Sequence, residues 1–174
     1  MYGLSKRVIV VLGVVLGIQC LVSVDALAHE PRAVAGGGLN VAVGWRTEPA
    51  FANMVNAFDF IVTDDIEVDD PGLTVTVLYL EEDAPDADIR KSSVLEGELA
   101  RDRSNPNRFN IWFLPTKAGA YGFHIEGMVN GMMVDEVFIC RGGSQNPDGR
   151  SFGCIESPQK FPGGKKHRDH DDDD

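Results

Sequence analysis

The sequence lacks the motifs on which most enzymes depend. None of its serines lies within a nucleophile motif, and no glycine-rich phosphate-binding loop follows a predicted strand. Positive charge is also scarce, because 16 lysines and arginines are outnumbered by 27 aspartates and glutamates, for a formal net charge of −11. Such a surface repels nucleic acid and anionic lipid and attracts cations. We therefore predict neither an enzyme nor a nucleic-acid-binding protein.

Cysteine is rare as well, with three in 174 residues. Cys20 lies in an N-terminal segment that we expect to be removed, which leaves Cys140 and Cys154. An even pair in an exported protein usually forms a disulfide. No Cys-x-x-Cys motif is present, so we predict a structural bridge between Cys140 and Cys154 rather than a redox site.

Residues 1–28 have the pattern of a secretory signal peptide. A Lys-Arg pair precedes an apolar run from Val8 to about Val24, and a small-x-small cleavage signal ends at Ala28. The run is close to the length of a membrane-spanning helix, so a retained anchor is the alternative. Cleavage after Ala28 predicts an exported chain, periplasmic or extracellular, that begins at His29 and has no membrane span.

No segment has convincing helical periodicity, whereas alternating apolar residues recur in short segments separated by turn signals. The predicted strands are Leu39–Trp45, Ala57–Thr63, Leu73–Leu80, Ser92–Ala100, Phe109–Leu114 and the two arms of a hairpin within Gly119–Cys140. This pattern predicts an all-β fold, an immunoglobulin-like antiparallel β-sandwich of about seven strands, with an incomplete barrel as the main alternative. The sandwich is expected to span 39–155, after a flexible lead-in at 29–38 and before a disordered tail at 156–174.

The segment Gly119–Cys140 has the strongest local pattern in the chain. Asn130-Gly131 predicts a two-residue type I′ turn, because both central residues of that turn need positive φ. The resulting register places Val129 opposite Met132 and divides the side chains between two faces. The apolar face, interrupted only by Glu136, is predicted to build the core. The other face carries His124, Glu126, Met128, Met133, Asp135 and Val137.

Two parts of the chain carry motifs that resemble a known family. Leu114–Ile125 is similar to a P-T-x-x-G-x-Y-x-F-x-I end strand, and Gly44–Pro49 with Asn56–Asp64 resembles two opening strands. These motifs are typical of small exported immunoglobulin-like domains of the copper-resistance CopC and YtkA-like group. The likeness covers about 39–140 and consists mostly of turn and core residues. It implies periplasmic Cu(II) binding through a mature N-terminal histidine, a further histidine and a carboxylate, although the family's Asp-Gly-His-Pro segment is absent.

The resemblance directs attention to His29 and His124, the first at the predicted mature N-terminus and the second in the corresponding late strand. A free N-terminal histidine chelates a metal through its amine and ring nitrogen, and imidazole suits Cu, Zn and Ni alike. Glu126 and Asp135 are predicted to lie opposite each other beside His124, and facing carboxylates destabilise a strand pair unless something offsets their charge. We predict these four residues as metal ligands, with a solvated face and a partner-binding surface as the alternatives.

Two further pairs are secondary candidates for metal binding. Met128 and Met133 are predicted to lie opposite each other, and thioethers select Cu(I), although methionine also forms adaptable contact surfaces. His167 and His170 lie beside the terminal aspartates of the tail, where they can bind Zn, Ni or Cu loosely or can simply belong to a solubilising segment.

These patterns predict an exported β-sandwich protein that binds copper or a similar divalent metal for metal handling, with no other cofactor. The alternative is an immunoglobulin-like binding or accessory module that needs no metal and acts on an inner-membrane or envelope protein.

Overall fold

The computed structural model describes residues 29–82, 87–142 and 151–158. Within these ranges the strands are β1 His29–Val34, β2 Leu39–Trp45, β3 Asn56–Val62, β4 Gly72–Leu80, β5 Ile89–Val94, β6 Ala100–Arg101, β7 Arg108–Phe113, β8 Tyr121–Val129 and β9 Met132–Ile139. They form a five-stranded sheet in the order β1-β2-β3-β7-β6 and a four-stranded sheet in the order β5-β4-β8-β9. None of the described residues belongs to a helix with the length and hydropathy that a membrane span requires.

Alternating side chains from both sheets build the core between them. Phe58 and Phe60 on β3 and Phe123 and Ile125 on β8 are fully buried, and each such side chain contributes about 1.5–3 kcal/mol of hydrophobic stabilisation. Trp45 lies among these rings, with its centroid 5.0 Å from that of Phe123. All the ladders between the strands are antiparallel. The structure therefore confirms the predicted antiparallel β-sandwich.

Strand β1 corrects the prediction for the N-terminal segment. Residues 29–38, expected to be a flexible lead-in, instead form β1 and a short 3-10 turn, Ala35–Gly37, that reverses the chain into β2. The two strands pair in register from His29 opposite Gly44 to Val34 opposite Leu39. The glycines serve this reversal, because Gly36 and Gly37 adopt positive φ, which glycine does without steric cost.

The predicted strand Ser92–Ala100 is also corrected, because the structure divides it between the two sheets. β5 begins earlier, at Ile89, and ends at Val94 beside β4. The chain then crosses to the other sheet, where the two-residue strand β6 pairs with β7. The crossover explains the weak alternation in this part of the sequence.

Glu136, which interrupts the apolar face of the hairpin, has a partner on β1. Arg32 lies with its guanidinium Nη1 3.2 Å from Glu136 Oε2 and donates a hydrogen bond to the Val137 carbonyl oxygen at 2.9 Å. The same guanidinium lies over the Phe138 ring at 4.0 Å from its centroid, a favourable cation–π distance. Arg32 thus connects the β1 edge of one sheet to the β9 edge of the other.

Residues 151–158 pack against one end of the sandwich. The predicted disulfide between Cys140 and Cys154 is present and attaches this segment to the end of β9. Phe152 is fully buried, with its ring centroid 5.6 Å from that of Phe123. The Trp45 indole donates a hydrogen bond to the Gly153 carbonyl oxygen at 2.8 Å. The segment therefore contributes to the core.

The same segment shifts the end of the folded domain beyond the predicted boundary. The backbone N–H of Glu156, expected to begin the disordered tail, donates to the Ala50 carbonyl oxygen at 2.8 Å. In return, the Ala52 N–H donates to the Glu156 carbonyl oxygen at 2.9 Å. Glu156 therefore belongs to the domain. Residues 159–174, like the predicted signal peptide at 1–28, lie outside the described residues.

Candidate metal centre

The β8–β9 hairpin has the predicted turn and register. Asn130 and Gly131 both adopt positive φ, at 47° and 78°, as a type I′ turn requires. Val129 pairs with Met132, Met128 with Met133, and Glu126 with Asp135. The face that carries His124 points away from the core, because its neighbours Phe123 and Ile125 are buried. Local turn chemistry therefore places the candidate ligands on the outer face of the four-stranded sheet.

His124, Glu126 and Asp135 come together on this face. His124 Nε2 lies 2.8 Å from Asp135 Oδ1, and His124 Nδ1 lies 3.6 Å from Glu126 Oε2. One ligand atom from each residue lies within 4.8 Å of the other two, the one such group of histidine, cysteine and carboxylate side chains among the described residues. His124 is partly buried, whereas both carboxylates are mostly exposed. The imidazole is thus fixed by the sheet, and the carboxylates can adjust around it.

This donor set is suited to a borderline divalent ion. One imidazole nitrogen and two carboxylate oxygens are ligands that Zn²⁺ and Cu²⁺ accept, and imidazole disfavours the purely oxygen-binding Ca²⁺ and Mg²⁺. An ion bound to both His124 Nε2 and Asp135 Oδ1 would replace the hydrogen bond between them. It would also offset the repulsion between the two facing carboxylates.

Met128 and Met133 lie opposite each other on the same face, as predicted, and are 44% and 71% exposed. Met133 and Asp135 line two shallow depressions on either side of β9 near its beginning. The described contacts include no bond from either thioether to the His124 group, so a role for this pair in metal binding stays a prediction.

His29 is not part of this group, contrary to the expectation that it shares a site with His124. Its Nε2 lies 2.7 Å from Asp59 Oδ2, on the outer face of the five-stranded sheet, whereas His124 lies on the outer face of the other sheet. Gly44 lies between His29 and Asp59 in the strand register. Because glycine has no side chain, the imidazole can reach over it to the carboxylate.

Asp59 is a residue that the sequence analysis missed. It is 0% exposed, although it alternates with core phenylalanines and so resembles a solvent-facing position. Arg108 Nε donates to Asp59 Oδ1 at 2.9 Å, and its Nη2 contacts the other oxygen. Burial alone would raise the pKa of Asp59, but the hydrogen bonds from His29 and Arg108 together lower it below its ordinary value. His29 therefore belongs to a structural ion-pair cluster.

Glu48 lies on the same side of the molecule as this cluster. Burial raises the pKa of its carboxyl group, while a hydrogen bond from the Gly153 N–H and the nearby His29 act in the opposite direction. Its Oε1 accepts the Gly153 N–H at 2.8 Å, so Glu48 helps to hold the C-terminal segment.

The remaining predicted ligands, His167 and His170, lie outside the described residues. Comparison of the chain with protein-family models, with curated proteins and with solved structures gave no match. The resemblance to the CopC and YtkA-like group therefore remains a prediction.

Proposed function

We propose that this chain binds a divalent transition metal, copper or a similar ion such as zinc, through His124, Glu126 and Asp135, and that it serves in metal handling outside the cytoplasm. The observation that supports the proposal is the convergence of three ligand atoms within 4.8 Å on one strand pair. Two strongly paired strands supply all three, so no loop has to close to assemble the site.

Charge favours a cation at this position. Glu126 and Asp135 face each other across the ladder, and the chain as a whole has a formal net charge of −11. Both features raise the local concentration of cations. The disulfide between Cys140 and Cys154 fits an oxidising compartment, which supports the extracytoplasmic part of the proposal.

Titration of the purified chain with Zn²⁺ and with Cu²⁺, followed by calorimetry, tests the proposal. We expect binding tighter than millimolar, and we expect His124→Ala to weaken it by about 100-fold, since even outer-shell changes at metal sites cost 10–100-fold. His29→Ala is the matched control, because it removes a histidine from the opposite sheet. Each variant is also made with His167→Ala and His170→Ala, so that the tail does not contribute.

Millimolar or weaker binding, or equal loss in the His124→Ala and His29→Ala chains, would contradict the proposal. That result would favour the alternative, a metal-free binding module. Three exposed apolar side chains on or beside the five-stranded sheet support this alternative: Trp112 and Leu114 on and just after β7 are 56% and 49% exposed, and Val55 just before β3 is 66% exposed. Clustered apolar side chains of this kind are found at protein contacts.

A further inference from the structure

An apolar pocket of about 270 Å³ lies next to His124 on the outer face of the four-stranded sheet. Its walls come from β4, β5, β9 and a residue two positions before β5: Leu78, Leu80, Ala87, Ile89, Val137 and Ile139. Among the described residues that line it, His124 is the one polar side chain. The outer face of an antiparallel sheet is normally polar, so an apolar pocket at this position is unexpected.

The base of the pocket is fixed by the strand pairing. Leu78, Gly122 and Ile139 form one row across the sheet. A Cβ on Gly122 would lie 3.5 Å from Leu78 Cδ1 and 3.3 Å from Ile139 Cγ1, so these two side chains close in above the glycine. Leu78 and Leu80 are buried. The pocket is therefore formed before any ligand arrives, as small-molecule sites usually are.

His124 belongs both to the pocket and to the metal-binding group. Three protein donors leave two positions of a five-coordinate Zn²⁺ or Cu²⁺ ion open, which is the number that a bidentate chelator needs, and the mostly exposed carboxylates leave them accessible to solvent. A small molecule that binds the ion beside His124 would therefore lie with its remaining atoms against the pocket walls.

We propose that the metal is bound together with a small organic chelator whose aromatic ring or short alkyl chain occupies this pocket. The proposal rests on the metal-binding function and names the form in which the ion is bound. A cavity of about 150 Å³ holds benzene, so this pocket fits such a group, but it is too small for a helix. The two carboxylates disfavour a multiply charged anion, so the chelator is neutral or singly negative.

Two zinc complexes that differ only in their apolar part test the proposal. Calorimetry would compare 1:1 zinc picolinate with 1:1 zinc 5-butylpicolinate, which has the same chelating head and four more carbons, and zinc alone. We expect the butyl complex to bind at least about tenfold more tightly, because its four extra carbons bury apolar surface in the pocket. Ile89→Ser should abolish this preference. Val94→Ser is the matched control, since Val94 lies on the same strand with similar exposure, 55% against 57%, and does not line the pocket.

The outcomes separate the chelator proposal from the metal-binding function. Equal affinity for the two complexes in the unmodified chain, or equal loss of preference in both serine variants, would overturn the chelator proposal while zinc binding alone still supported the function. Loss of all zinc binding on His124→Ala, with the butyl preference present only in chains that retain Ile89, would support both. Absence of zinc binding in the unmodified chain would overturn both.

Discussion

On the outer face of the five-stranded sheet, Asp59 joins side chains from two other strands. It is fully buried, and its two oxygens contact Arg108 and His29 from strands on either side. A buried carboxylate is tolerated only when it is paired and hydrogen-bonded, and removal of one member leaves the other charge uncompensated. The same bonds hold the beginning of β1 against the sheet.

Asp59→Asn should lower the free energy of unfolding by about 3 kcal/mol at neutral pH, because Arg108 would lose its carboxylate partner. Urea denaturation of the two chains would measure the difference. Asp65→Asn is the control, because Asp65 is exposed on a loop and should change stability by less than about 0.5 kcal/mol.

The difference in the free energy of unfolding between the unmodified chain and Asp59→Asn should shrink as the pH falls. The pKa of Asp59 is lower in the folded chain than its ordinary value of 3.8, so its stabilisation is fully present above that value and is lost as the pH falls through the folded-state pKa. The unmodified chain should therefore approach the stability of Asp59→Asn at strongly acidic pH. A gap that is as large under those conditions as at neutral pH would refute the ion-pair explanation.

At the scale of elements, the β8–β9 hairpin pairs with β4, and the space beside Gly127 admits no side chain. Gly127 has φ of +141°, and a Cβ at this position would lie 2.1 Å from the Gly72 carbonyl oxygen. No side chain fits in that space. Because Gly127 follows Glu126 directly, the contact also fixes one ligand of the candidate metal centre relative to β4.

Gly127→Ala should destabilise the fold by about 3 kcal/mol or more, since the backbones of β4 and β8 would have to separate. Thermal and urea unfolding would measure the loss. Gly131→Asn is a suitable control, because Gly131 also has positive φ but has open space around its α-carbon, and asparagine tolerates that conformation. Equal losses in the two variants would show that φ, rather than the close approach, decides the cost.

Across the whole molecule, the sequence predicted local features but not the contacts between residues that are far apart in the chain. The hairpin and its register followed from Asn130-Gly131, because a turn and an alternating pattern are local properties. The contacts of Asp59 with His29 and Arg108 join residues 30 and 49 positions apart. No local pattern encodes such partners. For the same reason, the sequence predicted the His124 group but wrongly added His29 to it.

The disulfide stabilises the whole domain, because it attaches the C-terminal segment, which carries the buried Phe152, to the end of β9. Its cysteines are 14 positions apart, and a loop of that size corresponds to about 3 kcal/mol of stabilisation. Cys140→Ser combined with Cys154→Ser should therefore lower the free energy of unfolding by about 3 kcal/mol, which would appear as a lower urea midpoint. Zinc affinity at His124 should stay unchanged in the folded variant, since the site lies on another face. An unchanged midpoint would show that Phe152 packs equally well without the bond.

The link between Arg32 and Glu136 also bears on the order in which the chain folds. The two residues are 104 positions apart, and Ser151 contacts Glu30 across 121 positions. Loops of that length close slowly, because their entropy must be lost before the contact forms. β1, the first of the described strands, can pair with β2 early, but it completes its contacts with β9 and with Ser151 only after those residues have been synthesised. Until then a nascent chain exposes β1 as an uncovered strand edge, which can pair with other chains.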